Sequence, residues 1–145
     1  MKLHLIFIST ILTALTHSQL AYSYPKTDAD YAALPPYCHA RSRGTPSESK
    51  KWERRFGHSS YIHLHHYCAG LDYINKATIS LNKKKRHNSL IKAIKEFKYI
   101  AKHAPNNFPL LPANYYHMGK SYQNIDDMEA ALKAFNTSIK FNKKY

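Results

Sequence analysis

An all-α fold is predicted: a short array of antiparallel helix hairpins behind an irregular N-terminal segment. Three observations carry this. Apolar residues recur at three- and four-residue spacing over most of residues 46–142. Cap signals and helix breakers divide that span into separate helices. No alternating run of β-branched or aromatic residues marks a strand.

The elements follow in chain order. Residues 24–43 form the irregular segment. Thr27 and Asp30 are spaced to cap one short turn, and Leu34-Pro35-Pro36 then opposes helix. Thr45-Pro46-Ser47-Glu48 opens a helix: Thr45 caps, Pro46 suits the first position and Glu48 completes a capping box. Trp52 and Phe56 form its apolar stripe, and Gly57 ends it as a left-handed residue. Ser59 or Ser60 opens the next helix, which runs to about Ala77 with Tyr61, Leu64, Cys68 and Leu71 on one face. Residues 82–88 are predicted to form a basic loop, with Asn88 or Ser89 capping a helix striped by Leu90, Ile94, Phe97 and Ala101. Ala104-Pro105-Asn106-Asn107 ends that helix, and Pro112 begins the next, with Tyr115, Met118, Gly119 and Tyr122 on one face. Asp126 and Glu129 are spaced as a capping box for the last helix, along which Met128, Ala131, Leu132, Phe135 and Ile139 line up.

Before these elements lies a segment with the features of a secretory signal. Lys2 supplies the positive end, Leu3–Leu15 is a mostly apolar run, and Ala21-Tyr22-Ser23 offers small residues where a signal peptidase reads. Polar Thr16, His17, Ser18 and Gln19 hold the run below the roughly 20 residues of a membrane span. Cleavage is therefore expected before Tyr24, and the product is expected to be periplasmic or secreted.

The chain has 145 residues and a formal net charge of +13. Such an excess favours contact with anionic surfaces. The cations are dense at Lys50-Lys51, Arg54-Arg55, Lys83-Lys84-Lys85-Arg86 and Lys143-Lys144. Export makes nucleic acid an unexpected partner and leaves membrane headgroups, polysaccharide or acidic protein.

The sequence holds two cysteines. In an oxidising compartment the pair Cys38 and Cys68 is expected to form a disulfide. The competing reading is a metal site built from Cys38, His39, His65 and Cys68, since two Cys and two His satisfy tetrahedral zinc. Their spacing matches no recognised finger, and consecutive His65-His66 cannot both point at one ion from a helix. No Cys-x-x-Cys-His is present for haem attachment, and no cofactor is implied. Enzyme templates are equally thin: there is no nucleophile elbow, phosphate-cradling glycine loop or His-Glu-x-x-His. An enzyme is not expected.

Residues 112–145 resemble a tetratricopeptide repeat, the ~34-residue helix–turn–helix unit. Tyr115, Met118-Gly119 and Tyr122 stand at the spacing of its first helix, and Ala131, Phe135 and Ser138 at that of its second. Lys143 replaces the closing proline. A more degenerate unit at about 60–105 has Leu64, Cys68 and Leu71 in the first-helix places, with Ala93, Phe97 and Pro105 following. Leu34-Pro35-Pro36-Tyr37-Cys38 and His65-His66-Tyr67-Cys68-Ala69-Gly70-Leu71 are similar to segments of a group of exported bacterial repeat proteins. The resemblance implies a groove that binds a protein or peptide along the first helix of each unit. By position that groove would show Tyr116, Lys120 and Gln123 from the clearer unit, and Ile62, His65 and Asp72 from the degenerate one. The family's peptide-carboxylate clamp is not carried over, because only Lys120 matches it.

The last helix raises one further expectation. Repeat arrays normally finish with a helix whose outer face is polar, and none is evident after residue 145. Ile139 and Phe141 point about 200° apart around a helix, so one packs inward and the other joins an exposed patch. Docking onto a second copy or another partner is expected there, with Phe141 and Tyr145 as contacts.

Overall fold

The computed structural model describes residues 25–142; the proposed leader, its cleavage position and Tyr145 lie outside them. Eight helices, and no strand, occur among the described residues: α1 (Asp28–Ala32), α2 (Pro36–Ser42), α3 (Pro46–Phe56), α4 (His58–Tyr61), α5 (Leu64–Ile79), α6 (Lys83–His103), α7 (Leu111–Gln123) and α8 (Met128–Asn142). The protein is all-α. α5 packs on α6, α6 on α7 and α7 on α8, while α2 lies against α5 and links α1 and α3 to the array.

Local chemistry explains most boundaries. Thr27 and Thr45 each cap a helix through a complete capping box, with Asp30 and Glu48 reaching back to the cap. Gly57 ends α3 at φ 79°, a backbone region that side chains disfavour. Four boundaries differ from expectation. The Pro35-Pro36 pair does not exclude helix, because Pro36 itself opens α2, where its missing N–H is harmless. Residues 58–79 are two helices rather than one: α4 is a single turn, and α5 starts afresh at Leu64 with neither serine capping it. The basic run is helical rather than a loop. Asn82 Oδ1 accepts from the Lys85 N–H at 2.9 Å, and Lys and Arg are good helix formers that then extend α6 backwards. In α8 the cap is Asp127, which accepts from the Ala130 N–H at 3.1 Å, while Asp126 adopts the left-handed conformation at φ 65°.

The core runs along the seams between helices. Phe97, Ile100, Leu64 and Phe108 are fully buried. Phe108 comes from the connection between α6 and α7, so that connection is a plug between hairpins rather than a spacer. A disulfide joins Cys38 in α2 to Cys68 in α5, with Cα atoms 5.6 Å apart, and fixes the N-terminal segment on the array. Tyr37 meets Trp52 and Phe56 edge-on at 5.6 and 5.4 Å, which carries α3 onto α2.

Candidate interaction surfaces

Each hairpin closes on the same contact. A Cβ on Gly70 would lie 2.5 Å from the Phe97 ring, and one on Gly119 would lie 2.7 Å from the Phe135 ring. Only glycine lets α5 and α6, or α7 and α8, approach over an aromatic ring in this way. The contact sets the correspondence between hairpins: Gly70, not Cys68, stands where Gly119 stands. Tyr67 then corresponds to Tyr116, and the ring separations agree, with Tyr67–Phe97 at 6.0 Å and Tyr116–Phe135 at 6.0 Å. In the second helices Leu90, Ala93 and Ile94 correspond to Met128, Ala131 and Leu132.

Equivalent residues meet different fates. Tyr67 is buried, with its ring 6.1 Å from His117 of α7. Burial pushes its hydroxyl pKa up, and the neighbouring Tyr37 hydroxyl acts in the same direction. Tyr116 is 50% exposed. On α6, which packs between α5 and α7, Leu90 and Ile94 are buried. Their counterparts Met128 and Leu132 are both more than half exposed, as is Ile139. Met128, Leu132, Phe135 and Ile139 fall within an arc of about 60° on α8, flanking the edge that buries Ala131 and Ala134. The outer side of the second hairpin therefore presents, uncovered by any described element, the kind of face that the first hairpin buries.

The residues expected to line a groove separate into two groups. Tyr116, Lys120 and Gln123 are exposed together on α7, with Lys120 Nζ donating to Gln123 Oε1 at 2.9 Å. Ile62 is exposed as well. Asp72 is not a groove residue: it is buried, 2.5 Å from Lys76 Nζ. Burial raises its carboxyl pKa, and the Lys76 ammonium pulls the other way. His65 is half-buried beside His66, the ring centroids 4.3 Å apart. Burial pushes its imidazole down to about 4, with the nearby His66 and Arg41 acting in the same direction. Phe141 is not an outward contact either. It stacks on Tyr115 at 5.5 Å and packs against the core, so Ile139 is the exposed member of that pair.

The metal reading does not survive the geometry. Both thiols are spent in the disulfide, and His39 lies edge-on to Tyr31 at 5.7 Å. No group of three or more His, Cys, Asp or Glu among the described residues converges on a possible ion.

Several features escaped the sequence reading. His66 Nδ1 pairs with Glu96 Oε2 at 2.6 Å, and its ring stacks on Tyr99 at 3.6 Å. Asn114 is fully buried and donates to the Phe97 carbonyl at 3.0 Å, which ties α7 to α6. Ile79 and Leu81, at the tip between α5 and α6, are 80% and 96% exposed. Beside that tip lies a cleft of ≈ 360 Å³ lined by Ile74, Ala77, Thr78, Arg86, Leu90 and Asn124. Comparison with known proteins returns no family, no curated protein and no solved structure that matches the chain.

Proposed function

We propose that this chain is an exported repeat module of the tetratricopeptide kind, which works by holding a helical protein partner against the outer face of its second hairpin. One observation carries the reading: Leu90, Ile94 and Tyr67 are buried, while their counterparts Met128, Leu132 and Tyr116 lie open. Repeat hairpins bury their flanks by stacking on neighbours, so the chemistry that suits this open face is another amphipathic helix or hairpin. Patches of exposed apolar surface of this kind mark association sites. Lys120 and Gln123 border the patch and supply polar contacts at its rim.

The partner is either a second copy or another protein presenting such a helix. Sedimentation over a range of concentrations, with chemical cross-linking in envelope extract, tests both. The wild type is expected to self-associate or to capture a partner that survives moderate salt, because apolar contacts are not screened. Leu132→Glu, at an exposed position, is expected to abolish that association without lowering stability. A wild type that stays monomeric and captures nothing, or a Leu132→Glu protein that associates as well as the wild type, overturns the reading. The export half is checked separately by N-terminal sequencing of protein recovered from the cell envelope, with Tyr24 expected first.

A further inference from the structure

Two apolar side chains at the α5–α6 tip are left in water by a turn that is itself well fixed. Arg86 donates from Nε and Nη2 to the Ser80 carbonyl at 3.3 and 3.0 Å. Ser80 Oγ donates to the Asn82 carbonyl at 3.3 Å, and Asn82 caps α6. The turn thus holds Ile79 and Leu81 outward instead of letting them fold back over the cleft beside it. Around them Lys83, Lys84, Lys85, Arg86 and His87 are all exposed. Asp126 lines a second, adjoining cleft together with Lys83, Arg86 and His87. No acid stands in the first turn of α6, where a helix dipole favours one. Exposed Leu and Ile, and a run of cations at a helix start, both disfavour the free protein.

A bilayer interface with anionic headgroups answers both features at once. Apolar side chains enter the headgroup–acyl boundary while surrounding Lys and Arg reach the phosphates. An anionic polysaccharide or nucleic acid would satisfy the cations and leave Ile79 and Leu81 without a partner. The tip and the α8 face share no residue, so each is tested by its own substitutions. No helix among the described residues is long and apolar enough to cross a membrane, so contact through the tip is peripheral.

We infer that the α5–α6 tip docks on an anionic lipid surface, with Ile79 and Leu81 inserted and Lys83, Lys84, Lys85 and Arg86 on the headgroups. The test is co-sedimentation of the full mature chain with vesicles of phosphatidylglycerol and phosphatidylcholine, against phosphatidylcholine alone. Capture on dextran sulfate beads is the polymer arm. Circular dichroism melts confirm that each variant folds. Binding to the anionic vesicles only is expected. Lys84→Gln with Lys85→Gln is expected to weaken it about 25-fold, roughly fivefold for each cation, and to weaken dextran sulfate capture as well. Ile79→Ser with Leu81→Ser is expected to weaken vesicle binding by about tenfold or more and to leave dextran sulfate capture unchanged. Failure of the wild type to sediment with anionic vesicles overturns the inference. So does a serine variant that binds vesicles like the wild type, which identifies a polymer-binding patch instead, or one that loses both arms equally.

Discussion

Gly70 faces the ring of Phe97 so closely that an added Cβ would lie 2.5 Å from Cε1, and Phe97 has no exposed surface into which to retreat. The matching contact of Gly119 with Phe135 is almost as close at 2.7 Å, but Phe135 is only partly buried and has room to turn outward. The same substitution is therefore expected to act unequally. Gly70→Ala should destabilise by about 1–3 kcal/mol through overpacking, and Gly119→Ala by clearly less. Urea denaturation of both variants checks this; equal losses would show that the two rings are equally confined.

Reduction of the Cys38–Cys68 bond frees a segment closed over a sequence separation of 30. A loop of that length corresponds to about 3–4 kcal/mol in the chain-entropy account. Dithiothreitol, or Cys38→Ser with Cys68→Ser, is expected to lower the melting temperature and to release α1–α3 first. Proteolysis near residues 43–45 should then precede cleavage within α5–α8. A reduced protein that melts as the oxidised one does would mean that the bond does not fasten this segment.

Asn114 bridges α7 to the Phe97 carbonyl, while its own Oδ1 has no hydrogen-bond partner among the described residues. Asn114→Ala removes the bridge at a site with no access to water. A loss of about 1–3 kcal/mol is expected, read by denaturant unfolding. No change would place the hydrogen bond outside the interactions that hold the two hairpins together.

The histidines around α4, α5 and α7 give stability a definite pH dependence. His65 is held at about 4, against about 6.5 for a free imidazole. Burial lowers His63 and His117 as well. The unfolded chain therefore takes up protons more readily than the folded one between these values. Stability is full above pH 6.5 and is lost as pH falls toward 4. Asp72, whose carboxyl pKa is raised, opposes the trend at its lower end. Melting temperatures are expected to fall between pH 7 and pH 5, with a shallower fall in His65→Gln. A flat profile over that range would contradict the burial of these rings.

What the sequence determined on its own is whatever is written in neighbouring residues. The capping boxes of Thr27 and Thr45, the stop at Gly57 and the three- and four-residue stripes are local patterns, and they yield an all-α chain. Two cysteines allow one internal pairing, so Cys38–Cys68 was legible as well. The placing of Gly119 and Phe135 on the two helices of one hairpin was legible from the spacing that resembles a repeat. The errors came where two local signals compete, as when Asn82 capped α6 ahead of Asn88 and Asp127 displaced Asp126 as the cap of α8. Tertiary structure alone decided which equivalent residues are covered. Nothing local separates Leu90 from Met128 or Tyr67 from Tyr116; one of each pair is buried because α7 and α2 lie over the first hairpin, and burial belongs to the neighbour rather than to the residue. For the same reason Asp72 lies inside, Phe141 turns onto Tyr115, and Ile79 and Leu81 remain in water at a tip that no other helix among the described residues covers.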